Sequence, residues 1–199
     1  MISQMTHPAE ESWDRVVTWL HRNVPVSAAH IGRPATKNEI AVVEALLNRE
    51  LPADLLAWWR RSCGVTDFIK GRLIPGFAPF TADEAIEHRE EMLDIAPCDD
   101  AAETAALAAD PAGSACTFWL PVWLPLAHNG GGDYLFVDLR SGPLHGCVMQ
   151  WEKYEAAVSE PSWPNTATML AEIAHSLDHN TDITGYQPEA LDDGTLDWV

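Results

Sequence analysis

The first clear pattern in the chain is a group of apolar residues near the N-terminus, spaced three and four positions apart. The spacing i, i+3, i+4, i+7 places such residues on one face of a helix. A serine precedes the stripe as an N-cap, and a proline follows it as a terminator. The pattern predicts an amphipathic helix over residues 12–22. The residues concerned are Ser12, Trp13, Val16, Val17, Leu20 and Pro25.

Short polar motifs mark the beginnings of the other helices. Thr36-Lys-Asn-Glu39 and Thr81-Ala-Asp-Glu84 are capping boxes, in which a hydroxyl and a carboxylate satisfy the first free amides of a helix. Leu51-Pro52 precedes a further apolar run, and proline is tolerated in a first helical turn. A last long helix is predicted from Ser162 to about residue 179.

Residues 119–139 are typical of a β-hairpin. An apolar run, Trp119–Ala127, meets three glycines at 130–132, and a second apolar run, Tyr134–Leu139, follows at once. Glycine supplies the positive φ angles of such a turn. A phosphate-binding loop is disfavoured, because an aspartate and a strand follow the last glycine where that motif needs Lys, then Ser or Thr, and a helix. A third strand is predicted at 146–152, and a proline-interrupted edge strand within 72–80.

The order of these elements predicts an α+β fold: an antiparallel sheet with helices packed mainly on one side. We expect one domain over residues 1–184. A mobile or weakly helical insertion is expected near 97–116, where Asp-Asp, repeated alanine and Pro-Ala-Gly cluster. Residues 185–199 form an acidic tail, which is disordered unless Trp198 docks.

The charge balance restricts the class of partner. Thirty Asp and Glu against 12 Lys and Arg give a net charge of −18. Such a field repels nucleic acid and anionic membrane and favours a basic protein partner, although solubility alone also explains it. No apolar segment reaches the roughly 18 residues of a membrane span, and the N-terminus lacks a signal-peptide pattern. The expected location is the cytoplasm.

Few residues suggest catalytic chemistry. The four cysteines form no C-x-x-C pair, so buried free thiols are expected, and no nucleophile elbow is present. His128, beside the glycine turn, is the best candidate for a base. His175 and His179 have the spacing of a zinc pair, but without a third ligand two surface histidines are favoured. We therefore predict no catalytic residue, no metal and no cofactor.

Three segments around the predicted hairpin carry a family resemblance: Trp123-Leu-Pro-Leu-Ala, Gly-Gly-Asp133-Tyr-Leu-Phe-Val-Asp138-Leu and Gly146-Cys-Val-Met-Gln-Trp151. Together with Pro34-Ala-Thr36-x-x-Glu39-Ile and Leu51-Pro52 upstream, and Pro161-Ser162 downstream, they resemble the SUKH superfamily over most of residues 10–180. The branch they resemble is that of the fungal cell-wall assembly regulators (Smi/Knr-like), in its bacterial type. This resemblance implies the same α+β fold.

The resemblance also implies a non-enzymatic protein-binding module. Many bacterial relatives are immunity proteins that neutralise a toxin domain, so the leading hypothesis is an acidic inhibitor of a basic toxin. The alternative is a regulatory scaffold in cell-wall or signalling pathways. The third hypothesis is a small-molecule or metal-dependent enzyme that uses His128, Asp133 or the pair His175 and His179.

Nine tryptophans in 199 residues suggest where a partner would bind, since Trp is enriched at interface hot spots. Asp133 and Asp138 are five positions apart, so in a regular strand they point to opposite faces and at most one lines a given surface. The predicted partner-binding residues are Trp119, Trp123, His128, Asp133, Tyr134, Asp138 and Trp151.

Overall fold

Seven helices and six strands follow one another along residues 6–199, the part of the chain that this computed structural model describes. The helices are α1 (Pro8–Asn23), α2 (Pro25–Ala28), α3 (Lys37–Leu47), α4 (Ala53–Trp59), α5 (Ala82–Ile95), α6 (Ala101–Ala109) and α7 (Thr166–His179). The strands are β1 (Ala78–Pro79), β2 (Trp123–His128), β3 (Tyr134–Asp138), β4 (Cys147–Trp151), β5 (Pro188–Ala190) and β6 (Leu196–Trp198). Among the described helices, none is long and apolar enough to cross a membrane.

Helix α1 begins earlier than its apolar stripe predicted. His7, and not Ser12, is the N-cap, because its Nδ1 accepts a hydrogen bond from the Ala9 amide at 3.2 Å. Pro8 occupies the first turn, where its missing N–H costs nothing. Ser12 instead lies buried within the helix. The predicted stripe is largely buried where α1 packs against α4 and α7.

Both predicted capping boxes are present. Thr36 Oγ1 accepts from the Glu39 amide at 3.2 Å, and the Glu39 carboxylate accepts from the Thr36 amide at 2.7 Å. Thr81 and Glu84 repeat this arrangement at the start of α5. Arg33 adds an ion pair to Glu39. The hydrogen bond from Arg33, followed by those from Thr36, lowers the pKa of Glu39 to about 2.

The main sheet has four antiparallel strands in the order β1-β2-β3-β4, which confirms the predicted hairpin and the α+β fold. Trp123 pairs with Asp138 across β2 and β3, and Tyr134 pairs with Trp151 across β3 and β4. A bulge shifts the register between Pro125 and Ala127. All five residues of β3 are buried, so both faces of this central strand are covered.

Helix α7 begins at Thr166, four residues after the predicted start. Asn165 is its N-cap and accepts from the Thr168 amide at 2.8 Å. Before the cap, Trp163 forms a bridge with Val148 on the outer edge of β4 and is therefore not part of the helix. The apolar face of α7 packs against α1 and α4.

The segment at 97–116 contains helix α6, none of whose residues is fully buried. Beyond the helix, several backbone groups tie the segment to the sheet region. The Ala112 amide donates to Ser141 O at 2.8 Å, and Cys116 forms an antiparallel bridge with Ala157. The Gly113 amide donates to Asp138 Oδ2 at 2.9 Å.

The C-terminal residues form a second, two-stranded antiparallel sheet, β5-β6. Trp198 is buried, with 6% of its surface exposed, and its indole Nε1 donates to Arg72 O at 2.9 Å. The Gly194 carbonyl, in the turn between the strands, accepts from the amides of Val26 and Ser27 at the start of α2. The hairpin is therefore held at both its turn and its end.

All four cysteines are free thiols. Cys63, Cys116 and Cys147 are buried, and Cys98 is partly exposed. Burial raises the pKa of Cys63 and of Cys147 to about 12. These two thiols therefore stay protonated at neutral pH, as expected of core cysteines.

Candidate functional site

The glycine turn between β2 and β3 is fixed by Asn129 and Asp133. Asn129 Oδ1 accepts from the Gly131 amide at 2.7 Å and from the Asp133 amide at 3.1 Å. Asp133 Oδ2 accepts from Asn129 Nδ2 at 2.6 Å, and its Oδ1 accepts from the Lys153 amide at 2.9 Å. Both carboxylate oxygens of Asp133 are therefore engaged in joining the turn to the chain that leaves β4.

Five rings from separate segments stack beside this turn, and we call them the aromatic–histidine stack. The His128 ring lies between two phenylalanines, with centroid distances of 4.6 Å to Phe68 and 4.6 Å to Phe80. Phe80 in turn stacks on His88 of α5 at 4.4 Å. His88 Nδ1 lies 3.4 Å from Tyr134 Oη, which closes the group. Phe68, His88 and His128 are partly exposed, whereas Phe80 and Tyr134 are buried.

Two members of the stack, His128 and Tyr134, favour their uncharged states. Burial is the largest effect that lowers the pKa of His128, and the nearby His88 and Arg72 lower it further, while Glu84 opposes them. Burial, followed by the charge of Glu91, raises the pKa of the Tyr134 phenol. At neutral pH His128 is therefore a neutral ring, with its faces packed against Phe68 and Phe80.

An acidic stripe covers the outer surface of α5, next to the stack. Besides Glu84, which belongs to the capping box, it consists of five exposed carboxylates: Asp83, Glu87, Glu90, Glu91 and Asp94. The one arginine of α5, Arg89, is turned inward, where its Nε and guanidinium nitrogen donate to Pro121 O at 3.0 and 2.6 Å. His88 Nδ1 lies 3.1 Å from Glu91 Oε2, so the stripe and the stack are in contact.

The predicted aromatic residues of the sheet lie behind this surface. Trp119 and Trp123 are 1% and 0% exposed, and Trp151 is 5% exposed. Trp119 lies edge-on to both other tryptophan rings at centroid distances of 5.5 Å to Trp123 and 5.5 Å to Trp151, and Trp123 stacks on Phe136 at 4.2 Å. Trp119 and Trp123 have no accessible surface for a partner, because they fill the interior of the molecule and support the stack from within.

Asp138 is also interior, in a fully buried ion pair with Arg140. The guanidinium group donates to both oxygens of Asp138, at 2.7–3.1 Å, and to Ser114 O at 2.5 Å. It lies 5.4 Å from the Trp123 ring centroid. The pair joins the end of β3 to the 97–116 segment, so Asp138 acts inside the molecule and not at its rim.

His175 and His179 stack at 4.2 Å on the exposed side of α7, and His179 Nδ1 lies 2.9 Å from His175 O. Within residues 6–199, no group of three or more His, Cys, Asp or Glu side chains is arranged to hold a metal ion. Both carboxylate oxygens of Asp133, which the enzyme hypothesis named as one candidate residue, accept hydrogen bonds within the turn and from the Lys153 amide.

Residues 34–172, well over half of the 199 residues, match the model of the SMI1 / KNR4 family (SUKH-1). The chain belongs to this family. A comparison with curated proteins gave no match. The match confirms the resemblance inferred from the hairpin and its flanking motifs. Membership of the SMI1 / KNR4 family supports a SUKH-type module, of a generally non-catalytic kind that binds protein partners.

The sequence predicted only some of the residues of this candidate site. His128 and Tyr134 belong to the stack, whereas Phe68, Phe80 and His88 were not singled out. The contact between the α5 carboxylates and the stack was not predicted. The signal that was available is the i, i+3 spacing of a histidine and a glutamate on one predicted helix.

Proposed function

We propose that this chain is an immunity protein that binds a basic toxin domain through the acidic stripe and the adjacent aromatic–histidine stack, and that it breaks no covalent bond. The observation that carries the proposal is the concentration of five exposed carboxylates on α5, in direct contact with a partly exposed ring stack. Membership of the SUKH-1 family supports the general class of function.

The acidic stripe suits a basic partner. Because Arg89 is buried and points inward, it leaves the outer surface of α5 strongly negative. Concentrated charge of one sign accelerates the diffusional encounter with a partner of the opposite sign, and salt weakens this effect. A toxin that acts on nucleic acid carries a basic site, which such a stripe would cover.

The stack supplies the apolar contact that charge alone lacks. Phe68 and His128 are partly exposed, and Ile69, next to Phe68 in the chain, is 72% exposed. Since His128 favours the neutral form, a partner can cover it without burying a charge. Aromatic side chains held in place by their neighbours are typical binding anchors.

The two edges of the sheet are poorly suited to pairing with a partner strand, which favours docking through side chains. The outer edge of β4 is occupied by Trp163, which forms a bridge with Val148. The opposite edge strand, β1, is two residues long and contains Pro79, which has no amide hydrogen to donate. Neither edge offers a row of free backbone groups for a partner strand.

The experiment compares two triple variants with the same change in formal charge. E87Q/E90Q/D94N neutralises most of the stripe, and E11Q/E50Q/E160Q neutralises three exposed glutamates outside both α5 and the C-terminal hairpin. The ligand is a basic toxin domain from a neighbouring gene, if the neighbourhood encodes one, or otherwise from a sibling strain, and binding is measured by calorimetry at about 50 and 500 mM salt. We expect the stripe variant to weaken binding at least about tenfold at low salt, with a smaller difference at high salt, and the control to stay within about twofold. Equal affinities of the two triples would show that α5 is not the docking surface.

Immunity is distinguished from the regulatory alternative by deleting the gene. An immunity protein predicts loss of protection against sibling strains and normal growth in pure culture. A regulatory scaffold predicts a cell-wall defect in pure culture and no change in protection. Failure of the protein to bind any toxin domain, together with unchanged survival beside sibling strains, would refute the proposed function.

A further inference from the structure

The loop at residues 66–72, which carries Phe68 into the stack, is held by the C-terminal hairpin. Trp198 Nε1 donates to Arg72 O at 2.9 Å, and the Trp198 ring is buried. Arg72 belongs to the same contact region, since its guanidinium carbon lies 5.2 Å from the centroid of the Phe68 ring. The hydrogen bond therefore joins the end of the chain to the residue that lies over Phe68.

A second link runs through the buried hydroxyl of Ser27. Ser27 Oγ donates to Lys70 O at 2.5 Å and accepts from the Leu196 amide at 2.9 Å. The hairpin thus reaches the loop on both sides of Gly71: directly at Arg72 O and through one hydroxyl at Lys70 O. Two anchors on carbonyls two residues apart fix both the position and the direction of a short segment.

The loop itself is a tight turn that depends on its base for orientation. Asp67 Oδ1 accepts from the amides of Ile69 and Lys70, both at 3.0 Å. This turn projects Phe68 against His128 and over Gly130, where an added Cβ would lie 2.4 Å from the Phe68 ring. A small rotation of the loop would therefore separate Phe68 from His128.

We propose that the C-terminal hairpin positions the stack, with Trp198 and Ser27 as positioning residues that keep Phe68 seated on His128. This positioning role depends on the proposed function in one respect, namely that the stack is taken to be the docking surface. The contacts that hold the loop are independent of any partner. The acidic tail is thereby part of the recognition surface through its hydrogen bonds, without touching the partner itself.

The test uses W198F, which keeps a ring and removes the donor, and W163F as a matched control. Trp163 is equally buried and donates one indole hydrogen bond, to Glu172 Oε2 at 2.8 Å, with no hydrogen bond to the loop. Hydrogen exchange is measured at the amides of Ile69 and Lys70, and the titration of His128 is followed by NMR. S27A is a second variant, which removes the hydroxyl link to Lys70 O and leaves Trp198 intact.

We expect W198F and S27A to speed exchange in the loop about fivefold, the scale of one lost hydrogen bond, while W163F leaves it unchanged. The pKa of His128 should rise toward its ordinary value, because Phe68 no longer shields the ring and the Arg72 charge moves away. Unchanged exchange and titration in both loop variants, or equal changes in W163F, would overturn the proposal. Neither measurement needs a partner, so a negative result leaves the proposed function standing, and a failure to bind toxin leaves the positioning role standing.

Discussion

Replacing Arg140 by Met tests whether the buried ion pair organises the interior behind the docking surface. The substitution preserves most of the apolar stem and removes the guanidinium group, which is 0% exposed. It leaves the Asp138 carboxylate with only the backbone amides of Gly113 and residue 140 as donors. Ser114 O loses its contact at 2.5 Å. We therefore expect a large loss of stability from a single change.

The size of the expected loss in unfolding free energy is set by the charge of Asp138, which the substitution leaves unpaired. Removing one partner of a buried pair costs about 3–5 kcal/mol, because the remaining ion stays desolvated without its counter-charge. With a urea dependence of about 2 kcal/mol per molar, typical of small proteins, the unfolding midpoint should fall by about 1.5–2.5 M. Near-ultraviolet circular dichroism of the tryptophan cluster would follow the transition, since Arg140 lies beside the Trp123 ring.

The matched control is Arg15→Met, which breaks an exposed ion pair of nearly the same length. Arg15 lies 2.6 Å from Asp178 with side-chain exposures of 49% and 37%, whereas the buried pair spans 2.7 Å. An exposed pair contributes about 0–1 kcal/mol, so the control midpoint should move by at most about 0.5 M. Asp138→Leu combined with Arg140→Met should cost less than the sum of the single changes, because no lone charge is left. Equal losses in the buried and exposed variants would refute the reasoning.

Three further outcomes follow from the structure. Gly130→Ala should destabilise the protein by about 2–3 kcal/mol in urea unfolding, since the φ of Gly130 is +77° and the new Cβ meets the Phe68 ring. Gly185→Ala is the control: its φ is +85° but the space around it is open, so the substitution should cost only about 1 kcal/mol. Cys98 should be the one rapidly labelled thiol of the folded protein, and Cys98→Ser should remove the fast phase. Glu39, whose folded pKa is about 2, should stabilise fully above its unfolded value of about 4.5 and lose this effect as the pH falls toward 2, so the difference in midpoint between the wild type and Glu39→Gln should shrink over that window.

Local sequence signals predicted the elements whose causes are local. Both capping boxes lie where Thr36 and Thr81 placed them, because the hydrogen bonds of this motif span only four residues. The hairpin was predicted from the three glycines that join its two apolar runs. The start of α1 was misjudged, because His7 is a weaker signal of an N-cap than Ser12. The start of α7 was placed too early, because a pairing of Trp163 with a distant strand keeps that residue extended.

The site was harder to predict, because its parts meet only in the folded chain. Phe68, Phe80, His88 and His128 come from a loop, a strand end, a helix and a hairpin, and no spacing in the sequence links them. Asp138 could have been recognised as interior, since it ends an apolar strand and Arg140 follows two positions later, close enough to bond its carboxylate. Opposite charges two positions apart at the end of an apolar strand indicate a buried pair as readily as an exposed rim.

In the proposed complex, the two halves of the docking surface should control different rate constants. The stripe acts over distance, so its carboxylates raise the rate of encounter without needing exact contact. The stack acts only at contact, and it is held from two sides, by the Arg89 bonds that fix α5 and by the Trp198 bond that fixes the Phe68 loop. A surface held in place before binding loses little conformational freedom in the complex, which slows dissociation. Loosening the hairpin should therefore shorten the lifetime of the complex, whereas neutralising the stripe should slow its formation.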